Sequence, residues 1–259
     1  MKKFISFSGG VESTTMCLLY GANATAIWCD TGSEHKLMYE RIDFCETEIK
    51  KIHSNFTLHR IKPSVKCKGE IVESLEDYIK VSKFMPSKQL RYCTGKFKIE
   101  PIDNFLSEQG ECELLIGFNA DETARVGSMQ KAKNVTYSYP LMNDDYSRED
   151  CEFLLREKGL HPLFPPYMKR GGCKFCIFKS LKEYKAMYFF NRTEFDECLA
   201  LEQNLQDYRS KFYAISMSGK TLQSIADTAE QEVLMFGLDA MREMYSKTQP
   251  TQACGAFCH

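Results

Sequence analysis

Apolar residues fall in short dense runs that alternate with longer, spaced patterns over the first 140 or so positions. Phe4–Phe7 is a run too short for a helix, and Thr14–Tyr20 carries the helical spacing that follows it. Ala24–Asp30 ("ATAIWCD") predicts a second strand. Met38, Ile42, Cys45, Ile49 and Ile52, spaced four, three, four and three, predict an amphipathic helix. Phe56–Ile61, Glu113–Phe118 and Val135–Leu141 predict three more strands. Strands that alternate with helices imply an α/β fold: a mostly parallel, Rossmann-like sheet of five strands with helices on both faces. Ligands of such sheets bind beyond the carboxyl ends of the strands, so the polar residues there carry the interest.

The pattern changes after His161–Pro166, whose three prolines exclude regular helix. Beyond Ser180 it is helical, through Phe195, Cys198, Leu205, Tyr208 and Phe212, then Leu222, Ile225, Ala229, Val233 and Phe236. Three regions are expected: an α/β domain over 1–165, a Cys-x-x-Cys segment with a helical subdomain over 166–245, and a mobile cysteine-bearing tail over 246–259.

Composition narrows the class. Of 259 residues, 43% are hydrophobic and 27% charged, as in soluble globular proteins. The formal net charge of -1 supplies no global field for a polyanion, which would need a local basic patch. Apolar runs are too short to cross a bilayer, and polar Ser8-Gly9-Gly10 follows Met1-Lys2-Lys3 too soon for a signal peptide. The expectation is a cytoplasmic protein with no membrane partner. Twelve cysteines in a reducing compartment point to metal or redox chemistry rather than disulfides. Cys17, Cys29 and Cys45 fit as small buried hydrophobes; Cys93, Cys173, Cys176, Cys254 and Cys258 stand outside such patterns.

The stretch "FSGGVESTT" places Ser8, Gly9 and Gly10 after a strand, and Ser13 and Thr14 in the first turn of a helix. Glycines let successive N–H groups point inward, and the helix N-terminus adds its positive end, which together cradle an anion. The run lacks the Gly-Lys-Ser/Thr of a P-loop and the spacing of Gly-x-Gly-x-x-Gly. Taken alone, Ser-Gly-Gly fits an ordinary turn equally well.

"SGGVES" resembles the loop of the PP-loop ATP pyrophosphatase superfamily, whose usual form is Ser-Gly-Gly-x-Asp-Ser, with Glu12 in place of the Asp. "WCDTGSEH", "RYCTGKFKIEP", "GFNADETAR" and "GGCKFC" are similar, in order, to segments of phosphoadenosine phosphosulfate reductases and their relatives. The resemblance covers about residues 4–180 and implies the adenine nucleotide alpha hydrolase type of fold. It implies that Ser8, Gly9, Gly10, Ser13 and Thr14 cradle phosphates, and that Asp30 and Thr31 lie where adenosine is held. Arg125 would face phosphate or sulfate, with Asp121 and Glu122 orienting it or a metal. Glu12 would assist Mg²⁺, or satisfy the helix dipole.

Cys173-Lys-Phe-Cys176 suits a redox pair, or half of a zinc or cluster site. In the adenylylsulfate reductases it resembles, a cysteine pair some 80 residues upstream completes a cluster; here Cys93 is preceded by Tyr92. Either Cys254 or Cys258 completes a 4Fe–4S cluster or a Zn²⁺ site, or a three-cysteine cluster keeps an open iron as in tRNA-thiolating PP-loop enzymes, or the pair is a buried bystander. "ACGAFCH" resembles the reductases' C-terminal Cys-Gly, which makes Cys254 a candidate nucleophile. Between Tyr167 and Tyr188, lysines interleave with aromatics, a pattern that suits either nucleic acid or a solvated face over an aromatic core.

The resemblance implies an enzyme of adenine-nucleotide-dependent sulfur chemistry. The complete loop favours cleavage of ATP to AMP and pyrophosphate, which activates an acceptor (DNA or RNA) for sulfur from a donor protein. Cys254-Gly255 favours reduction of adenylylsulfate or its 3′-phosphate with a thioredoxin-like reductant. A non-catalytic nucleotide-binding subunit of a larger complex is the third class.

Overall fold

The computed structural model describes residues 1–125, 132–209, 214–216 and 218–246, and only the backbone of Ala124, Arg125 and Arg209. The chain runs through β1 (Lys2–Ser6), α1 (Val11–Tyr20), β2 (Thr25–Cys29), α2 (Lys36–Ile52) and β3 (Thr57–Ile61). A small antiparallel hairpin, β4 (Val65–Cys67) with β5 (Glu70–Val72), leads into α3 (Leu75–Ser82). A helical run follows: α4 (Tyr92–Thr94), a π turn (Gly95–Ile99) and α5 (Glu100–Ser107). Then come β6 (Cys112–Leu115), a 3-10 turn (Ala120–Arg125), β7 (Val135–Ser138), α6 (Pro140–Asn143) and α7 (Arg148–Glu157). Four helices close the described chain: α8 (Leu181–Phe190), α9 (Arg192–Arg209), α10 (Leu222–Phe236) and α11 (Leu238–Ser246).

The main sheet has the order β3-β2-β1-β6-β7 and every neighbouring pair is parallel. Its five strands are those the apolar runs predict, within a few residues at their ends. Side chains alternate between two cores with the strand period of two. Ile5, Ala26, Trp28 and Leu115 pack with Met16 of α1, Ile42 of α2 and Leu155 of α7. Phe4, Ile27, Cys29 and Leu114 face the other way, onto Ile102 and Leu106 of α5. The order reverses between β1 and β6, so the loop after β1 opens into the crevice where such sheets take ligands.

A third core joins distant parts of the chain. Val65, Val72, Ile79 and Phe97 pack with Tyr184, Phe195, Leu205 and Ile225, so the hairpin and α3 share their interior with the C-terminal helices. Among the described residues no helix is long and apolar enough to cross a membrane.

Candidate functional site

Beyond β1 the chain turns at Gly9, whose φ of +73° lies in the left-handed region. A Cβ there would also press on Ile42 Cδ1 at 3.0 Å, so both the turn and the packing against α2 require glycine. Arg41 Nε donates to the Gly9 carbonyl at 3.3 Å and holds the turn from behind. Ser13 Oγ closes the loop: it accepts from the Ser8 N–H at 3.1 Å and lies 3.0 Å from Ser8 Oγ. Gly10 begins α1 without a side-chain cap, so the first-turn N–H groups are left for a ligand. Thr14 differs from expectation. Its hydroxyl is fully buried and lies between Arg41 and Cys45, and its N–H is taken by the Gly10 carbonyl, so it supports the loop from within.

A solvent-open cleft is lined by this loop, by Trp28, Thr31 and Glu34, and by Cys93, Cys173 and Cys176. The tip of β2 and the Cys-x-x-Cys segment form its floor. Glu34 pairs with Cys173 as an antiparallel bridge, His35 N–H donates to the Gly172 carbonyl, and Lys174 N–H donates to that of Ser33. Thr31 Oγ1 donates to Glu34 Oε1 at 3.0 Å and lies 3.3 Å from Cys173 Sγ. Asp30 is engaged locally, accepting from the Gly32 N–H and from Tyr39 Oη, both at 2.8 Å. Behind the floor, buried Lys179 donates to His35 Nε2 at 3.1 Å and to the Tyr167 carbonyl at 2.7 Å. His35 Nδ1 in turn donates to Glu194 of α9.

Cys93 and Lys98 are five residues apart, which an α-helix would turn to different faces. The π turn between them widens the spiral, and both line the cleft. Burial alone would depress the Lys98 ammonium, yet Glu34 and the three thiols hold its pKa above the ordinary lysine range. Burial pushes the Cys93 and Cys173 thiols up. Arg91 and Arg170 complete the wall, each stacked on Phe178 at 5.0 and 5.2 Å from the ring centre. Three cations thus face the cysteines, with Glu34 as the acidic residue of the lining. Thiolates on a single zinc ion must come within about 3.8 Å of each other. Among the described residues no three His, Cys, Asp or Glu are gathered for one metal ion. In an iron–sulfur cluster each thiolate takes a different iron, and three cysteines lining one cleft are a donor set that fits such a group.

The family model for the Phosphoadenosine phosphosulfate reductase domain matches residues 2–148. The chain belongs to this family. Membership brings adenine-nucleotide-dependent sulfur chemistry as its general field. The matched region holds the loop, the β2 tip, Cys93 and Lys98; Cys173 and Cys176 lie beyond it. Among solved structures, the chain is similar to one described as "U34-tRNA thiolase NcsA from Methanococcus maripaludis with its 4Fe-4S cluster". That likeness covers 99% of this chain and 84% of the other, at 14% identity and a TM-score of 0.44. No curated protein matches the chain.

Other expected site residues of this family member lie apart from the cysteines. Glu12 is buried and bonded to Arg148 Nη1 and to Asn119 Nδ2, so its carboxylate ties the loop helix to α7. Asp121 and Glu122 stand on the 3-10 turn after β6, where Asp121 accepts from the Arg148 N–H at 3.2 Å. The side chain of Arg125, and Cys254 and Cys258, lie outside the described residues. The basic and aromatic stretch at 167–188 resolves as core: Tyr167, Phe175 and Tyr184 are buried, Lys174 pairs with Glu76 and Glu197, and Lys185 pairs with Glu232. Arg170 stands out in the sequence only as part of the basic and aromatic stretch, and Lys98, Arg91 and Arg148 do not stand out as site residues. The Lys-x-x-Pro beginning at Lys98 was the available signal for that lysine, and the Ser147-x-x-Asp150 capping box that starts α7 for Arg148.

Proposed function

We propose that this protein binds ATP at the Ser-Gly-Gly loop and cleaves it to AMP and pyrophosphate, activating an acceptor for sulfur transfer. Cys93, Cys173 and Cys176 would hold an iron–sulfur cluster in the same cleft. The observation that carries this reading is continuity: Ser8 and Gly10 line the same cleft as the three cysteines. The open N–H groups of α1, with Mg²⁺, would neutralise the departing pyrophosphate. Lys98 and Arg170 suit the negative charge that three thiolates bring. A bound cluster would supply the sulfur-handling centre; the fourth ligand is left to Cys254, Cys258 or an exogenous group. Tyr92 is turned away, its hydroxyl donating to the Phe84 carbonyl. Sulfur would come from a donor protein, and the acceptor would be DNA or RNA.

A second reading, reduction of adenylylsulfate or its 3′-phosphate with Cys254 as nucleophile, is favoured by the Cys254-Gly255 pair and by the family's own description. One experiment separates the two. The protein is purified without oxygen and given ATP and Mg²⁺ while pyrophosphate is followed, with iron and sulfide assayed on the same sample. Pyrophosphate together with iron supports the first reading; sulfite from adenylylsulfate and a thiol, without pyrophosphate, replaces it with the second. Gly9→Ala is the sharper loop probe, since Gly10 has an ordinary φ of -75° and room for a Cβ. Cys176→Ser should bleach the iron chromophore, and a variant that keeps its full iron content removes Cys176 from the ligand set.

A further inference from the structure

Between Lys62 and Lys98 the chain carries eight lysines and one arginine against four carboxylates, in a protein whose net charge is -1. Lys66, Lys68 and Lys88 are exposed, and among the described residues no carboxylate pairs with them. Two lysines of this segment have an unusual backbone. Lys68, in the β4–β5 turn, has φ +49°, and Lys83, which ends α3, has φ +59°. Both positions are left-handed, where glycine or asparagine is cheaper by the energy of a crowded Cβ. Both side chains nevertheless reach the same ring: their ammonium groups lie 5.9 and 5.7 Å from the centre of Tyr208, on α9. Tyr208 is 61% exposed.

The platform continues towards the cleft. Phe84, 40% exposed, follows Lys83, and the loop then runs from cleft-lining Pro86 past exposed Lys88 and Leu90 to Arg91, which also lines the cleft. Ser87 N–H and Leu90 N–H each bond within the loop at 3.0 Å, which holds its shape. Acidic neighbours are present: Glu70 and Glu73 beside the hairpin, and Asp207 beside Tyr208.

We propose that Lys66, Lys68, Lys83, Lys88, Phe84 and Tyr208 form a docking strip for a single-stranded polynucleotide that leads into the cleft. Cations spaced along a track meet phosphates, while two exposed rings offer stacking faces to bases. A duplex buries its base faces and cannot use the rings, so the strip favours single strands. The strip rests on the reading of the protein as a sulfur transferase with a nucleic-acid acceptor, and names the surface that holds that acceptor.

The test uses the full chain and fluorescently labelled 16-nucleotide single strands of RNA and of DNA, with the matching duplexes as controls. Binding is measured by anisotropy across a salt series for the wild type, for Lys68→Asn with Lys83→Gly, and for Tyr208→Ala. The double variant removes two charges and relieves two left-handed lysines, which offsets the loss of the Lys83 Nζ bond to Asn204 Oδ1 at 2.7 Å, so its melting temperature should hold. Its affinity should nonetheless fall about tenfold, and the slope of log K against log salt should shrink by about 1.4. Tyr208→Ala should weaken binding roughly tenfold with an unchanged slope. Whichever of RNA or DNA binds more tightly identifies the source of the strand. Wild-type affinity in both variants, preference for the duplex, or no binding of either strand at low salt would overturn the strip. Pyrophosphate release from ATP, followed in the same samples, reports on the loop separately: release that persists without oligonucleotide binding removes the strip alone.

Discussion

Two stretches of this chain mix lysines with aromatic rings, and they have opposite fates. In 167–188 the rings are interior: Tyr184 is fully buried, and Phe175 and Tyr167 nearly so. Lys174, Lys185 and Lys179 are spent on Glu76, Glu197, Glu232 and His35, while Lys169 and Lys182 stay exposed. Around the hairpin and α3, Tyr208 and Phe84 stay in solvent and most lysines face water. Composition cannot tell the two apart. What separates them is helical spacing on α8, which turns Tyr184, Met187 and Phe189 onto a shared core, against rings near element ends that stay exposed.

Four measurements probe that contrast, in decreasing order of expected effect. Tyr184→Ala should lower unfolding free energy in urea by about 4 kcal/mol, because a large ring leaves a closed core. Tyr208→Ala should cost no more than about 0.5 kcal/mol in the same assay; equal losses would erase the distinction. Lys179→Met should cost about 2 kcal/mol, since it strands the Tyr167 carbonyl and His35 Nε2. Lys88→Met serves as its exposed control, with no measurable change expected.

The third measurement is a pH series. Burial, and then the Lys179 ammonium, push the His35 imidazole below its ordinary value, outweighing Glu194 and Glu34. The unfolded chain therefore takes up a proton near pH 6.5 that the native state refuses. Stability should fall as pH drops below that point, by up to about 1.4 kcal/mol per pH unit. His35→Gln should flatten this limb, and a wild-type curve already flat from pH 7 to 5.5 would contradict the assignment. The smallest effect is a gain: Lys68→Asn should stabilise the fold by about 0.5 kcal/mol, by easing a left-handed backbone.

The sheet was legible because strands buried on both faces read as continuous apolar runs, and Phe4–Phe7 and Ala24–Asp30 do so. The hairpin was not, since three-residue strands such as Val65–Cys67 and Glu70–Val72 are too short to show a period. The loop and the cysteines could be found as motifs. That Cys93 shares a cleft with Cys173 was implied by the resemblance alone; the π turn and the strap that bring it about leave no periodic trace. The partnership of His35, Lys179 and Glu194 was equally silent, because polar residues that meet across the fold have no local signature. Thr14 shows the converse: a hydroxyl in a loop motif whose side chain the helix turns inward.

The strap between Glu34 and Cys173 also sets an order of assembly. Those two residues are 139 positions apart, and the His35 segment is further clasped by Glu194. A nascent chain that has reached only Arg148 owns the whole Ser-Gly-Gly loop but not the Cys-x-x-Cys segment. Closing so long a loop is entropically slow compared with forming the neighbouring helices. A cluster of the kind proposed would therefore be delivered after α9 has left the ribosome, rather than to a chain still missing that helix.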